Sequence, residues 1–129
     1  MSEKKLVLIV EDEPDVSSFL TILLEDNGFT TDIAGNGREG MEQAAKLHPD
    51  LITLDISMPE ESGLKMYKLL KENDDLKDIP VAVVTGITPE FKRFIEQHRK
   101  LPAPEAYFEK PIDKAEFIDT AKELTGQKS

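Results

Sequence analysis

The stretch LITLDISMP, residues 51–59, is an apolar strand-forming run that ends in an aspartate. The four residues before Asp55 are almost continuously apolar, as expected of a strand buried on both faces of a parallel sheet. Met58 and Pro59 then turn the chain away from the strand. An acid in this position is either a turn-forming residue or a chemical group held on a rigid support.

Four other short runs are predicted as strands, with longer amphipathic segments between them. The run at 29–34 alternates in polarity, which is typical of an edge strand. Because strands and helices alternate, right-handed crossovers predict an α/β fold, in which helices cover both faces of a five-stranded parallel, doubly wound sheet. The predicted strands are 5–10, 29–34, 51–54, 81–85 and 106–108, and the five predicted helices begin at Pro14 and cover about 37–47, 63–73, 89–100 and 113–125.

Each predicted helix carries an apolar stripe that we expect to face the sheet. These stripes include Phe19 on the first helix, Leu47 on the second and Leu69 on the third. The chain length suits one domain with one core. We therefore expect a single domain at 4–125, a short C-terminal tail at 126–129, and no output domain.

Charge and composition exclude several classes of function. The 129 residues carry a net charge of −10, from 16 basic and 26 acidic residues. An acidic surface repels nucleic-acid backbones and anionic lipids, so we expect no direct binding to nucleic acid or membrane. There is no cysteine, no apolar stretch of the roughly 20 residues that span a bilayer, and no recognisable export signal. A cytoplasmic location is expected.

Polar residues stand at the carboxyl ends of the predicted strands, where open parallel sheets bind ligands. Glu11 and Asp12 follow the first strand, Asp55 follows the third, Thr85 ends the fourth, and Lys110 follows the fifth. Three carboxylates beside one lysine need a further cation, because like charges held together oppose ionisation. Oxygen ligands of this kind suit Mg²⁺.

Four fragments in this order and spacing identify a family resemblance. They are LIVEDEP at 8–14, LITLDISMPEESG at 51–63, VVTG at 83–86 and AYFEKP at 106–111. Together they resemble the receiver domain of two-component response regulators, of the chemotaxis-regulator type. The resemblance covers about residues 4–125 and implies a flavodoxin-like fold.

The resemblance implies that Asp55 accepts a phosphoryl group from the phosphohistidine of a sensor histidine kinase or a phosphotransfer protein. Mg²⁺ would be held by Asp12, with Glu11 beside it, by Asp55 and by the backbone carbonyl of Ser57. The domain would then act on a separate downstream protein. Whether it forms a homodimer is left open.

Three further roles are implied by the same resemblance. Lys110 would pair with the Asp55 carboxylate and then with a phosphate oxygen, and Thr85 would donate its hydroxyl to the phosphate. Tyr107 would be the aromatic residue that changes rotamer in the switch. The bond between Lys110 and Pro111 would be cis, which X–Pro bonds adopt far more readily than others.

Simpler alternatives exist for the single residues. Glu11 and Asp12 would also suit the N-terminus of the helix that begins at Pro14, and Gly63 would serve the turn before the third helix. For the whole chain, the alternative is a docking or dimerisation module of the same fold that acts without phosphorylation. A flavin or nucleotide carrier is disfavoured, because the loop after the first strand reads EDEP and repels phosphate.

The sequence also departs from the family pattern. The segment HRKLPAPEAYF, 98–108, makes the connection from Thr85 to Lys110 longer than usual, and Pro102 and Pro104 stiffen it. Partner choice on that side of the domain therefore does not follow from the resemblance.

Overall fold

The structure is a computed structural model that describes residues 4–56, 62–85, 93 and 103–127, with only the backbone described at residues 62 and 85. These residues form five strands and four helices. The strands are Leu6–Val10 (β1), Thr30–Ala34 (β2), Leu51–Leu54 (β3), Val81–Thr85 (β4) and Ala106–Glu109 (β5). The helices are Pro14–Glu25 (α1), Gly37–Leu47 (α2), Ser62–Glu72 (α3) and Lys114–Thr125 (α4).

The five strands form one parallel sheet in the order β2-β1-β3-β4-β5. The chain moves outward from β1 to β2 and then returns past β1 to β3, so the strand order reverses between β1 and β3. The carboxyl ends of these two strands flank the crevice in which open parallel sheets bind ligands. The predicted five-stranded, parallel, doubly wound sheet is confirmed, with β2 at one edge.

Side chains on the two faces of the sheet enter two separate cores. On one face, Val10 and Leu54 pack with apolar residues of α2 and α3. On the other face, Ile9 and Val84 pack with apolar residues of α1 and α4. Because the central strands are buried on both faces, their sequences are nearly continuous apolar runs rather than alternating ones.

Most predicted boundaries agree with the structure within two residues. The strands predicted at 51–54 and 81–85 and the helix predicted at 37–47 have the predicted bounds. The cis bond between Lys110 and Pro111 is also confirmed. The helix predicted at 89–100 lies outside the described residues except for Arg93, which is helical.

The prediction that Phe19, Leu47 and Leu69 face the core is wrong. These side chains are 37%, 37% and 42% exposed, respectively. They lie at the margins of the apolar stripes, and only the centre of each stripe contacts the sheet. Phe19 instead lies beneath Lys114 of α4, whose Nζ is 5.6 Å from the ring centroid, a cation–π geometry.

Two of the helices, α2 and α4, begin with a side-chain cap and end at a residue in the left-handed conformation. Asn36 accepts a hydrogen bond from the backbone of Glu39 at the start of α2, and Asp113 does the same for Glu116 at the start of α4. Gly126 ends α4 in the left-handed conformation, with φ at 74°. Within the described ranges, none of the helices combines the length and apolar character needed to cross a bilayer.

A buried lysine joins three elements at the amino end of the sheet. The Lys71 side chain at the end of α3 is 2% exposed, and its Nζ lies 3.2 Å from Glu105 Oε1. Lys71 also donates to the backbone carbonyls of Lys77 and Ile79 at 3.2 and 3.5 Å. Glu105 in turn accepts from the backbone of Val81 at 2.9 Å, and its own backbone N–H donates to the Val81 carbonyl. We call Lys71 and Glu105 the lysine node.

Gln127 fastens the C-terminal segment to the amino end of the sheet. Its side-chain oxygen accepts from the backbone of Lys5 at 3.0 Å, and its side-chain nitrogen donates to the Gly28 carbonyl at 2.6 Å. Gly28 has φ at 91°, a conformation that favours glycine. One amide side chain thus joins the start of β1, the turn after α1 and the end of α4.

Candidate functional site

The register of the central strands brings two acidic residues side by side. Val10 of β1 pairs with Leu54 of β3. The Asp55 N–H donates to the Val10 carbonyl at 3.0 Å, which extends the ladder by one residue. Glu11 and Asp55 therefore emerge together at the carboxyl end of the sheet, although 44 positions separate them in the sequence. Both are buried, at 3% exposure each.

Lys110 reaches the same place from the end of β5. Its Nζ lies 3.3 Å from Asp55 Oδ2 and 3.4 Å from Glu11 Oε1. Its side chain is 29% exposed, whereas the two carboxylate side chains are almost fully covered. Charge-assisted hydrogen bonds in such a sheltered place are stronger than the same pairs in water. Lys110 is thus held between two carboxylates rather than paired with one.

Three carboxylates converge at this point and could hold a metal ion. One carboxylate oxygen each of Glu11, Asp12 and Asp55 lies within 4.8 Å of the others. Asp12 is exposed, whereas the other two are buried. With Lys110 as the neighbouring ammonium, the group carries a net charge of −2 when fully ionised. We call Glu11, Asp12 and Asp55 the acidic cluster. Its oxygen ligands and excess negative charge fit a small, hard divalent cation such as Mg²⁺.

The electrostatics of the acidic cluster reflect this excess of negative charge. The pKa of Glu11 is raised from 4.5 to about 7, mainly by burial and further by the hydrogen bond and the negative charge of Asp55. For Lys110, burial alone lowers the pKa, but the charges of Asp55 and Glu11 outweigh burial and the net shift is upward. Without a bound cation, the cluster therefore tends to retain a proton on Glu11.

In the structure, neither Glu11 nor Asp12 is the N-cap residue of α1. The N-cap residue of α1 is Glu13, and its side chain makes no capping hydrogen bond. Glu11 Oε2 accepts from the backbone of Glu13 at 3.3 Å, which orients the Glu11 carboxylate. Glu11 is therefore placed by the loop and directed towards Asp55 and Lys110.

Of the other predicted site residues, Thr85 and Tyr107 lie on the two strands next to β3 on the Lys110 side of the sheet. Thr85 ends β4 and pairs in register with Glu109, the residue before Lys110, so its backbone lies at the same end of the sheet. Ser57 lies outside the described residues. Tyr107 is half-buried and packs against the core on the α2 and α3 side, and burial, followed by the charge of Glu109, raises its pKa. Phe108 enters the opposite core, as strand alternation predicts.

Gly63 has a place that the sequence-based interpretation missed. It lies within the first turn of α3 rather than in a preceding turn, and it contacts the backbone of Asp55 and Ile56. The available signal was a glycine at a helix start, eight positions after Asp55. Glycine in such a place indicates close approach of two backbones.

Comparison with known proteins identifies the family to which this sequence is similar. The sequence model of the response regulator receiver domain matches residues 7–122. The polar-differentiation response regulator DivK of Brucella anthropi is 38% identical over 122 residues, which cover 95% of this chain and 97% of that protein. DivK of Brucella ovis has the same identity and coverage.

Solved structures show the same fold. The signal receiver domain of a signal transduction histidine kinase from Syntrophus aciditrophicus is 30% identical, with a TM-score of 0.83, and the match covers 95% of this chain and 90% of that one. The Vibrio cholerae chemotaxis protein CheY4 is 24% identical, with a TM-score of 0.81, and the match covers 95% of this chain and 99% of that one. The second likeness concerns the fold alone.

Proposed function

Because this chain belongs to the response regulator receiver domain family, whose members are signalling proteins rather than metabolic enzymes, we propose that Asp55 is its phosphoacceptor. The phosphoryl donor is the phosphohistidine of a sensor histidine kinase or a phosphotransfer protein. The observation that carries the proposal is the position of the Asp55 carboxylate, buried beside Glu11 and 3.3 Å from Lys110 Nζ.

In the proposed step, an oxygen of Asp55 attacks the phosphorus atom of the donor. A P–O bond forms to Asp55 while the P–N bond to the donor imidazole breaks, and its electron pair passes to the imidazole nitrogen. Such transfers depend on positioning and on neutralising the phosphoryl oxygens. Asp55 meets the first need, because its backbone continues the central β1–β3 ladder.

Mg²⁺ would be held by Asp12, Glu11 and Asp55, together with the backbone carbonyl of Ser57. The support is the acidic cluster, whose ligand oxygens lie within 4.8 Å of one another and whose three carboxylates outnumber the ammonium of Lys110 beside them. When bound, the ion would neutralise negative charge on the transferring group. The raised pKa of Glu11 indicates a site that becomes fully ionised more easily with a cation present.

Lys110 and Thr85 complete the site in this proposal. Lys110 first holds the Asp55 carboxylate and then a phosphate oxygen, which requires only a small movement of a flexible ammonium. The Thr85 hydroxyl donates to another phosphate oxygen. The support for Thr85 is its place at the end of β4, in register with Glu109 and next to the residue that carries the ammonium.

Phosphorylation would then alter the surface that partners contact. It replaces the single negative charge of the Asp55 carboxylate with the charge of about −1.5 to −2 that a bound phosphoryl group carries. Thr85 moves towards this charge, and Tyr107 turns into the space that Thr85 leaves. A nearly complete change of population needs about 5.5 kcal/mol of differential stabilisation. Tyr107 is half-buried on β5, where two rotamers would present different surfaces.

The partners proposed for this chain are proteins. They are the phosphoryl donor and a separate downstream protein that distinguishes the phosphorylated form. Direct binding to nucleic acid or to an anionic membrane is disfavoured by the net charge of −10.

The test is phosphorylation by a small phosphodonor, acetyl phosphate, in the presence of Mg²⁺. The wild-type chain should gain one phosphoryl group, which peptide mapping should locate at Asp55. Asp55→Asn should gain none, and Asp119→Asn, an exposed aspartate on α4, should behave as wild type. Labelling of Asp55→Asn at the wild-type level would refute the assignment.

A binding titration separates the docking-module alternative from the phosphorylated switch. The titration measures the affinity of a captured partner with and without phosphodonor. The switch requires the two affinities to differ, whereas the docking module requires them to be equal.

A further inference from the structure

The start of α3 lies against the backbone that carries Asp55. Gly63 is buried in the first turn of α3. A Cβ atom at Gly63 would lie 2.6 Å from Ile56 Cα and 3.1 Å from the Asp55 carbonyl carbon, and closer still to the Asp55 carbonyl oxygen. Real Cβ atoms essentially never lie within 3.0 Å of another atom, so the contacts with Ile56 Cα and with the Asp55 carbonyl oxygen exclude a side chain unless the backbone shifts. Only a residue without a side chain fits this place.

The atoms that a Cβ would meet belong to a backbone that has little freedom to move. The Asp55 N–H is bonded to the Val10 carbonyl. Leu54 before it and Ile56 after it are both buried, at 0% and 6% exposure. Close-packed interiors transmit such a displacement instead of absorbing it. A side chain at position 63 would therefore shift the Asp55–Ile56 backbone and, with it, the Asp55 carboxylate.

We propose that Gly63 is a positioning residue for Asp55. Its bare Cα lets the first turn of α3 support the Asp55 backbone, so that the carboxylate lies within reach of Lys110 and Glu11. The catalytic consequence rests on the proposed function of Asp55, but the geometric consequence does not. Helix propensity alone would predict that alanine at position 63 stabilises α3 and leaves Asp55 in place, because alanine favours a helix more than glycine does.

Gly40 provides a matched control within the same chain. A Cβ at Gly40 of α2 would lie 2.6 Å from Met66 Sδ and 2.8 Å from Met66 Cε. These atoms are at the end of a flexible side chain that can adopt another rotamer. The third near atom, Val10 Cγ2 at 3.1 Å, also belongs to a side chain. Gly40→Ala thus introduces the same methyl group into a buried helical glycine, but it meets side chains rather than the backbone of Asp55.

The experiment compares Gly63→Ala with Gly40→Ala and the wild type. The first measurement is the rate of phosphorylation by acetyl phosphate at saturating Mg²⁺. We expect Gly63→Ala to lower the rate by about tenfold or more, because misplacement of reacting groups by about 1 Å costs up to about a hundredfold. Gly40→Ala should stay within about twofold of the wild type. A wild-type rate for Gly63→Ala would overturn the proposal.

A second measurement keeps the inference independent of the phosphorylation proposal. Backbone amide NMR spectra of all three proteins are recorded without phosphodonor, with and without Mg²⁺. Gly63→Ala should shift the amide resonances of Asp55 and Ile56 and weaken Mg²⁺ binding, whereas Gly40→Ala should do neither. If the wild type is not phosphorylated, the proposed function fails, but the NMR comparison still tests the role of Gly63. Unchanged Asp55 and Ile56 resonances in Gly63→Ala would refute the positioning role. Should Gly63→Ala unfold, the variants are compared in trimethylamine N-oxide, which favours the folded state.

Discussion

Two lysines lie beside carboxylates at opposite ends of this sheet, and their surroundings differ. At the carboxyl end, Lys110 faces two buried carboxylates, with a third close by. At the amino end, Lys71 faces one carboxylate and two backbone carbonyls. The acidic cluster has an excess of negative charge, whereas the lysine node has balanced charges.

The difference indicates that the lysine node stabilises the fold, whereas the acidic cluster is suited to binding a cation. Three groups accept from Lys71 Nζ within 3.5 Å, and the Glu105 carboxylate also accepts from Val81, so the node holds α3, β4 and β5 together. The acidic cluster keeps like charges in contact at some cost in stability. This excess of negative charge attracts a divalent cation, and with the cation bound the site no longer repels a phosphoryl group.

The largest expected effect comes from breaking the lysine node. Lys71→Met keeps the apolar stem but removes the ammonium that donates to Glu105 and to the backbone carbonyls of Lys77 and Ile79. We expect the free energy of unfolding to fall by about 3 kcal/mol, near the lower end for broken buried pairs, because the Glu105 side chain is 32% exposed. Urea unfolding measures this loss.

Lys77→Met is the control for that experiment. Lys77 pairs with Asp74 on the surface, where an ion pair contributes about 1 kcal/mol or less. If both methionine variants lost equally little stability, the lysine node would not be the structural element we describe.

The second effect has the opposite sign and concerns Glu11. In metal-free protein, folded Glu11 keeps its proton up to about pH 7, whereas the unfolded carboxyl loses it near 4.5. Between these values the folded state binds more protons, so the free energy of unfolding falls as pH rises through this window. Glu11→Gln should lack that decline and should be about 2 kcal/mol more stable than the wild type at about pH 8.

Urea unfolding in a metal chelator, at about pH 5 and about pH 8, tests this prediction. The exposed Glu123→Gln variant on α4 serves as the control and should keep the wild-type pH dependence. If the free energy of unfolding of Glu11→Gln fell with pH in parallel with that of the wild type, Glu11 would not be the group whose raised pKa causes the decline.

The smallest effect concerns the cation itself. A ligand that binds only the folded state stabilises it by about 1.4 kcal/mol at ten times its Kd. Mg²⁺ at that concentration should therefore raise the melting temperature of the wild type, and Asp12→Asn should lose most of the gain. The exposed Asp26→Asn variant at the end of α1 should keep it. An equal gain in all three proteins would show that the ion binds elsewhere.

The sequence predicted the carboxyl end of the sheet better than the amino end, for a physical reason. Glu11, Asp55 and Lys110 each follow an apolar strand, and parallel strands bring their carboxyl ends to one edge. Local patterns therefore sufficed to place residues that are far apart in the chain. Their roles in phosphoryl transfer stay predictions.

The amino end depends on contacts that local patterns do not encode. Lys71 and Glu105 are 34 positions apart, and Glu105 lies within the unusual segment 98–108, directly after Pro104. A signal did exist, since Lys71 lies four residues after Tyr67 and seven after Leu64, on the apolar stripe of α3. The contact of Gly63 with Asp55 has no local signal beyond the glycine, because it depends on how α3 packs.

Gln127 holds the first and last described segments close together, which makes this end of the domain suitable for attaching a label. Because its amide bonds Lys5 and Gly28, the first and last described segments lie next to each other, at the opposite end of the strands from Asp55. A fluorophore or a surface tether attached near either segment would leave the carboxyl end of the sheet, where Asp55 lies, accessible to a partner protein.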